Sequence, residues 1–426
     1  MRRPLTAANA GTGGISVEDA MKSAYGRTVP APRIELTHVE AGSPMGEVLR
    51  RYWQPVCLSE ELTDVPKKVR ILCEDLVVFR TGDGEVGCLD PHCAHRGSSL
   101  EYGRIEKSGI RCCYHGWLYS PEGRVLEMPC EAAGTCERMS VEQPGYPVKE
   151  FGGLVFVYMG PPDKQPLLPQ FDVLDTSKGN VQLRGARIWG DYAIGYVRDC
   201  NWLQHYENVV DPWHVLVLHQ AISGDQFESA MMQGRGEISF EPTTLGVRYK
   251  MTKALPNGNS LVRCSECVVP NIALIPNIRE KGVELIEEDR CSDVTWVVPI
   301  DNEHVMALSI VAWPLENGKL KPDWRPGTDT ISDIRPGHET ARSYRERQLR
   351  PDDLEAQESQ RPIAIHALER LAGSDVGVVR LRRLLAEQVK KVELGEDPMN
   401  VFRDPNQRIK TNAWNSVVKQ LELSDS

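Results

Sequence analysis

The sequence predicts an α+β protein: an N-terminal arm at 1–43, an all-β domain at 44–162 and a helix-on-antiparallel-sheet domain at 163–426. Three observations lead there. The chain has 426 residues, more than one hydrophobic core usually organises. Between about 55 and 160, short apolar runs recur at even spacing with turn residues between them, the mark of an all-β unit. From 181 onward, strand-like runs surround one helical segment near 198–220, and a helical stretch follows at 352–391.

The elements follow in order. Residues 1–33 are rich in Ala, Gly, Thr and Ser, and the arm is expected to be partly mobile. Pro44–Trp53 reads as a short helix. The β runs include Val69–Leu72, Leu76–Phe79, Gly109–Arg111 and Gly153–Tyr158, with Gly82-Asp83-Gly84 and Pro121-Glu122-Gly123 as turns. Gly160-Pro161-Pro162 marks the boundary. Val294–Val298 and Val305–Val311 read as buried strands, and 316–345 as a polar, Pro-rich surface excursion. Leu368, Leu371, Val378, Leu381, Leu384 and Leu385 fall at helical spacing.

Composition narrows the function classes. The net charge of -10 comes with no basic stripe, so nucleic acid is not an expected partner. No apolar run approaches the roughly 20 residues of a membrane span. Met1-Arg2-Arg3-Pro4 is followed by small and polar residues instead of the apolar core of a signal peptide, so a cytoplasmic protein without membrane attachment is expected. Twelve cysteines in such a compartment point to metal binding or core packing before disulfides.

The first constellation is Cys93-x-His95 followed by Cys112-x2-His115. Two thiolates and two imidazoles hold either one zinc or a [2Fe–2S] cluster in which two His replace two Cys on one iron. The C-x-H spacing departs from zinc fingers. Gly97 and Gly116 follow the two pairs, where tight turns bring backbone N–H groups toward cluster sulfurs. Cys113 adjoins Cys112, but the count to His115 selects Cys112 and leaves Cys113 as a buried neighbour. Cys264-x2-Cys267 stands alone in a strand-rich stretch and reads as core.

The second constellation is Asp211-x2-His214-x4-His219. Two neutral imidazoles and one carboxylate on one face of Fe(II) leave open positions for O2. A spacing of five does not align on an α-helix, so the helix must bend or stagger here, helped by Pro212. The carboxylate ligand comes from elsewhere in the chain.

These motifs, with Asn201-Trp202 and Glu207-Asn208, resemble the Rieske non-haem iron oxygenases. Pro44–Val56, Glu358–Ile363 and Gly373-Ser374-Asp375 look like the phthalate dioxygenase group within them, and the resemblance covers roughly 37–390. It implies a Rieske domain, a helix-grip catalytic domain, a [2Fe–2S] Rieske cluster on Cys93, His95, Cys112 and His115, and a mononuclear Fe(II) on His214 and His219. The third ligand it implies is Asp353, with Asp352 as runner-up and Glu355 behind. Asp211 is implied to join His214 to His95 or His115 of a neighbouring chain. Its plainer reading is a helix N-cap before Pro212. Asn201 is implied as a further catalytic residue.

The resemblance also implies O2 and an aromatic small molecule as reactants, a separate flavin and iron–sulfur reductase, and a homotrimer or trimer-based ring. The chain itself has no dinucleotide-binding GxGxxG after a strand. The expected reaction is hydroxylation or oxidative O-dealkylation of a carboxylated or aryl ether substrate. Arg235, Arg248, Arg263 and Arg279 are candidates to pair with a carboxylate. The alternatives are cis-dihydroxylation of a ring and, in another class, a Rieske electron carrier without catalysis. The carrier would lack the second iron site.

Overall fold

The computed structural model describes residues 28–187, 197–222, 235–255, 258–276, 289–320 and 342–418. Most of the expected arm, residues 1–27, and most of the expected surface excursion, 321–341, lie outside the described residues. From Ile34 the chain is already packed. Leu36 and Val39 are fully buried, and Val39 N–H donates to Asn302 Oδ1 at 2.8 Å. The arm therefore gives way to core well before residue 43.

The helix expected at 44–53 is shorter, Pro44–Leu49, capped by Ser43, whose hydroxyl accepts from Gly46 N–H. Trp53 instead opens the strand Trp53–Leu58, all six residues of which are buried. That strand pairs with Leu154–Tyr158, which pairs with Val148–Phe151. Lys67–Ile71, Glu74–Arg80 and Val86–Leu89 form a second small sheet. Arg104–Ile105, Ile110–Arg111, Leu118–Tyr119 and Val125–Glu127 form a third. All pairings are antiparallel, as short strands joined by tight turns require.

The large sheet runs Val181–Ala186, Val305–Glu316, Asp293–Pro299, Ile272–Leu274, Ser260–Val268, Gly246–Ala254, Glu237–Pro242. Asp293–Pro299 is buried along its whole length, which suits its mostly apolar sequence, and its two polar side chains meet each other, Thr295 Oγ1 donating to Asp293 Oδ2 at 2.7 Å. Trp414–Val418, a strand not expected from the sequence, pairs with Ser260–Cys264. The helix Val376–Glu393 packs on this sheet through Leu381, Leu385 and Val389, four apart along one stripe. It comes so close at Gly377 that a Cβ would lie 2.5 Å from the Phe240 ring and 2.7 Å from Val210 O. Leu368 and Leu371, expected on that helix, sit in the irregular stretch before it.

The core does not divide where the chain does. Strands Trp53–Leu58 and Leu154–Tyr158 share one cluster with the large sheet, where Phe156 meets Trp296 edge-on at 5.2 Å. Asn271 Nδ2–H donates to Gln54 Oε1 across that junction at 2.9 Å. A smaller second core holds Val77, Phe79, Leu89, Trp117 and Tyr119 together with Cys93 and Cys112. This places the two thiols on a rigid, separately packed tip.

One buried ion cluster ties the long helix to the segment preceding the histidines. Arg382 reaches both oxygens of Glu207, at 2.5 and 2.7 Å, and also Glu369. Burial pushes the Glu207 carboxyl above its ordinary value even though Arg382 opposes the shift. Arg382→Met should therefore cost about 3–5 kcal/mol, because it leaves a buried carboxylate without its cation. A carboxyl raised in the folded state is tolerated below its unfolded value, about 4.3, and becomes costly as pH rises through the folded value. Denaturant melts of Arg382→Met should accordingly show the deficit shrinking as pH is lowered from 7 toward 4.5. A deficit that does not change with pH would refute the Glu207 account.

Candidate metal centres

Two hairpins of the same build carry the first constellation. Gly97 N–H donates to Cys93 O at 2.8 Å, and Gly116 N–H to Cys112 O at 3.1 Å. Both glycines sit at positive φ, 74° and 75°, which lets the chain reverse directly after each Cys/His pair. A Cβ on Gly116 would also lie 2.8 Å from Pro129. Cys93 and Cys112 are buried at the hairpin bases. His95 and His115 lie beyond them, half-exposed, ring centroids 4.6 Å apart, and His95 stacks on Trp117 at 4.7 Å.

The Tyr119 hydroxyl lies 2.9 Å from Cys93 Sγ. Burial and that sulfur push the tyrosine up, so it stays protonated and would donate to the Cys93 sulfur if that sulfur held a metal. Sequence reasoning missed Tyr119, which lies seven residues past Cys112 with no spacing signal of its own. Cys113, expected as a buried neighbour, is exposed, with its sulfur 3.8 Å from Ser98 Oγ. Cys264 and Cys267 are buried in one strand, and burial pushes Cys264 up to about 11, the behaviour of core thiols.

The second constellation uses two segments far apart in sequence. The helix Trp202–Glu207 runs into a tight turn at Asn208–Val210, and Asp211 starts a new helix at Pro212. After His214 the backbone widens into a π-helix, Val215–Ile222. In a π-helix residues five apart come together, which accounts for the His214/His219 spacing. Their rings lie 5.4 Å apart at 70°.

The facing segment is the helix Asp353–Glu358. Asp353 Oδ1 lies 3.7 Å from His214 Nε2 and 3.4 Å from His219 Nε2. One ligand atom from each of the three residues lies within 4.8 Å of the others, and no other group of three or more among the described residues does this. Burial opposes the Asp353 charge, but His219, His214 and Arg198 hold its carboxyl far below the usual range. The Nδ1 atoms turn outward to a second pair of carboxylates: His214 to Asp211 Oδ2 and His219 to Asp352 Oδ1, each at 3.7 Å.

Asp211 divides its oxygens. Oδ1 accepts from Trp213 N–H at 3.0 Å as the N-cap, while Oδ2 faces His214. The N-cap reading therefore holds, and capping leaves Oδ2 directed at His214. Burial works against its charge, yet the His214 ring and the backbone N–H groups of Trp213 and His214 hold its carboxyl below the ordinary value. Asp352 is spent differently. Its side chain accepts from Asp353 N–H at 2.7 Å and caps that helix. Glu355 pairs with Arg342 and Arg347.

The expectation for Asn201 is corrected. Its oxygen accepts from Leu203 N–H, and both amide hydrogens go to Thr37 O and Asn302 O. No polar atom is left for chemistry. Asn208, two turns further on, takes the position instead, donating from Nδ2 to Asp353 Oδ1 at 3.1 Å. Gln357, one turn after Asp353, accepts from Arg198 Nη1 and from His205 Nδ1. Burial, with Arg198 nearby, pushes His205 down to about 3, so it is a neutral donor here. Gln357, Arg198 and His205 carried no spacing signal of their own in the sequence.

A cavity of about 510 Å³ opens beside the triad, lined by Asn208, Asp211, His214, Asp353 and Gln357 among others. None of the candidate arginines that are described lines it. Arg248 pairs with Glu241 at 2.6 Å, Arg263 is buried against Asn415, and Arg235 is exposed. Arg279 lies outside the described residues.

Residues 52–151 match the Rieske [2Fe-2S] domain. Over 409 residues the chain is 40% identical to a phenoxybenzoate dioxygenase α subunit of Ectopseudomonas oleovorans, covering 94% of this chain and 96% of that one. The chain belongs to the Rieske non-haem iron oxygenases. It is also 40% identical to a tert-butanol monooxygenase / tert-amyl alcohol desaturase oxygenase subunit of Aquincola tertiaricarbonis, covering 91% and 82%. Identity to the phthalate 4,5-dioxygenase oxygenase subunit of Pseudomonas putida is 31%, covering 86% of this chain and 87% of that one, which agrees with the phthalate dioxygenase group. Dicamba monooxygenase bound to dicamba shares the fold, with TM-score 0.55 at 19% identity over 82% of this chain and 99% of that one.

As an oxygenase of this family the protein is an oxidoreductase with a [2Fe–2S] cluster and a mononuclear non-haem iron. The residues suit both groups. Two buried thiols and two half-exposed imidazoles on paired hairpins match a cluster with one iron on two cysteines and the other on two histidines. A set of two imidazoles and one carboxylate, with outward-facing carboxylates behind it, matches Fe(II).

Asn201→Ala should cost about 1–2 kcal/mol through the lost cap and leave Fe(II) affinity unchanged. Asn208→Ala should weaken Fe(II) binding by about tenfold with little loss of stability. Denaturant melts and Fe(II) titration of the apo site measure both, and the opposite ranking would reinstate Asn201.

Proposed function

We propose that this oxygenase hydroxylates or oxidatively O-dealkylates an aromatic substrate carrying a carboxylate or an aryl ether, with O2 and electrons from a separate flavin and iron–sulfur reductase. The observation that carries the reaction class is the convergence of His214, His219 and Asp353 beside a cavity, on a chain that also bears the Cys93, His95, Cys112, His115 set. These seven residues are the ligands in this reading, with the cluster domain at 44–162 and the catalytic domain at 163–426. The iron supplies open positions for O2, and the cluster supplies electrons singly.

The chain's own residues do the rest. Asp353 sets one charged ligand between two imidazoles. Asn208 holds its inner oxygen. Asp211 orients His214 from behind and, in a head-to-tail homotrimer, meets a cluster histidine of the neighbouring copy. The exposed ring edges of His95 and His115 suit that contact. None of the described helices is long and apolar enough to cross a membrane, and a cytoplasmic location is part of the proposal.

Dihydroxylation of a ring is the second reading, favoured by the dioxygenase names of two relatives. A third relative acts on tert-butanol, so the decisive experiment must span both classes. Oxygen uptake by the reconstituted enzyme should be measured with 3-phenoxybenzoate, phthalate, a methoxybenzoate and tert-butanol, with product analysis. Turnover of the tertiary alcohol alone would overturn the aromatic assignment.

Asp353→Ala should lose the mononuclear iron and all turnover while keeping the Rieske electron paramagnetic resonance signal. Iron retained in Asp353→Ala but lost in Asp352→Ala would move the ligand by one residue. Asp211→Ala should keep both metals and the assembly, yet single-turnover product formation from reduced cluster should slow about a hundredfold or more. Wild-type single-turnover rates would rule out the bridge.

A further inference from the structure

Arg361 occupies backbone that glycine suits. Its φ is 93°, in the left-handed region that penalises a Cβ, and it precedes Pro362, which restricts it further. The fold imposes this shape. Arg361 N–H reaches Glu358 O at 3.3 Å, Arg361 O accepts from Gln204 Nε2 at 3.0 Å, and Pro362 O accepts from Asn201 N–H at 2.7 Å. A long charged side chain at such a position calls for a function that outweighs the strain. Arg361 lines the cavity beside the triad, and no hydrogen bond or ion pair of its guanidinium is found among the described residues.

The cavity mouth has the character of an interface. Leu371 is 46% exposed, and Val379 and Val376 nearby in the chain are 39% and 36% exposed. Leu368, Leu371 and Val378 line the recess itself. Within its charged lining Arg382 already holds Glu207 and Glu369, and Asp353 faces the two histidines, which leaves Asp211, 37% exposed, and Arg361. The cluster hairpins present a complementary set. Tyr114 is 57% exposed, with the exposed Arg96 guanidinium 5.4 Å from its ring centroid. On the other side, Cys130 Sγ lies 3.8 Å from His115 O, and the next residue, Glu131, is exposed.

We propose that Arg361 is a docking residue for a second copy of this chain, pairing with Glu131 beside that copy's His115. The head-to-tail reading above is assumed; the new content is the contact and the reason a strained position keeps a cation. A bidentate guanidinium–carboxylate pair at the rim fixes register, so the cluster histidine arrives at Asp211 and not one residue away.

Charge reversal tests it on the metal-loaded protein. Sedimentation over a dilution series gives the dissociation midpoint of the assembly. Arg361→Glu and Glu131→Arg should each raise that midpoint by about tenfold or more, and the double variant should return to within about threefold of wild type. Arg361→Gly should weaken assembly too, while the thermal midpoint of the dissociated chain rises by about 1–3 °C as the backbone strain is released. Single variants that dissociate like wild type, or a double variant no better than the singles, overturn the contact while leaving the ring standing. A wild-type protein that is monomeric at every concentration overturns the ring itself and the contact with it. If Arg361→Glu leaves assembly unchanged but abolishes 3-phenoxybenzoate binding by calorimetry, Arg361 belongs to a small-acid site, and the docking role is overturned.

Discussion

Gln204 holds the two halves of the iron site in register. Its side chain is almost fully buried and uses every arm on the segment that carries Asp353. Nε2 donates to Gln357 O and to Arg361 O, each at 3.0 Å, and Oε1 accepts from Ala364 N–H at 2.8 Å. Asp353 lies well over a hundred residues from the histidines, so no local geometry can set its distance to them. A buried amide making three backbone hydrogen bonds can, because leaving any one unmade costs about 1–3 kcal/mol. The same clamp forces the left-handed backbone at Arg361. The position of the metal ligand and the strain at the cavity rim thus have one cause.

Polar groups around the iron are arranged in layers. Asp353 lies between the two Nε2 atoms, and Asp211 and Asp352 face the two Nδ1 atoms. Gln357, Arg198 and His205 form a hydrogen-bonded group behind. Arginine can only donate, so the Arg198 contact fixes which end of the Gln357 amide faces it. That in turn makes His205 Nδ1 a donor. The cluster end is organised by different means: positive-φ glycines and a tyrosine hydroxyl on the Cys93 sulfur, within a small core of its own.

Much of this was legible in the sequence because metal sites need particular side chains at particular spacings. The Cys93/His95 and Cys112/His115 pairs lie on hairpins whose turns are local, so spacing and the following glycines reveal the geometry. The same holds for His214 and His219, although a five-residue gap announced an irregular helix without saying that it would be a π-helix. Asn201 was misjudged for a related reason. A lone Asn ahead of a helix looks the same whether it caps the helix or faces a ligand, and its contacts to Thr37 and Asn302 come from segments about a hundred residues or more away. Asn208 carried the better claim, but only the approach of Asp353 distinguishes the two.

The sequence by itself determined the chemistry: the two kinds of iron centre, the α+β class and the all-β character of the cluster region. Ligand identity and short-range periodicity are properties of neighbours along the chain. Tertiary structure alone decided which aspartate faces both Nε2 atoms, since Asp352 and Asp353 are chemically equal and Asp352, the cap of the helix at 353, lies instead against the outer face of His219. It also decided that strands from both chain halves share one core, and that Arg361 stands strained at the mouth of the recess. Those outcomes depend on long-range packing and buried hydrogen bonds, which fix distances between segments that the order of residues leaves free.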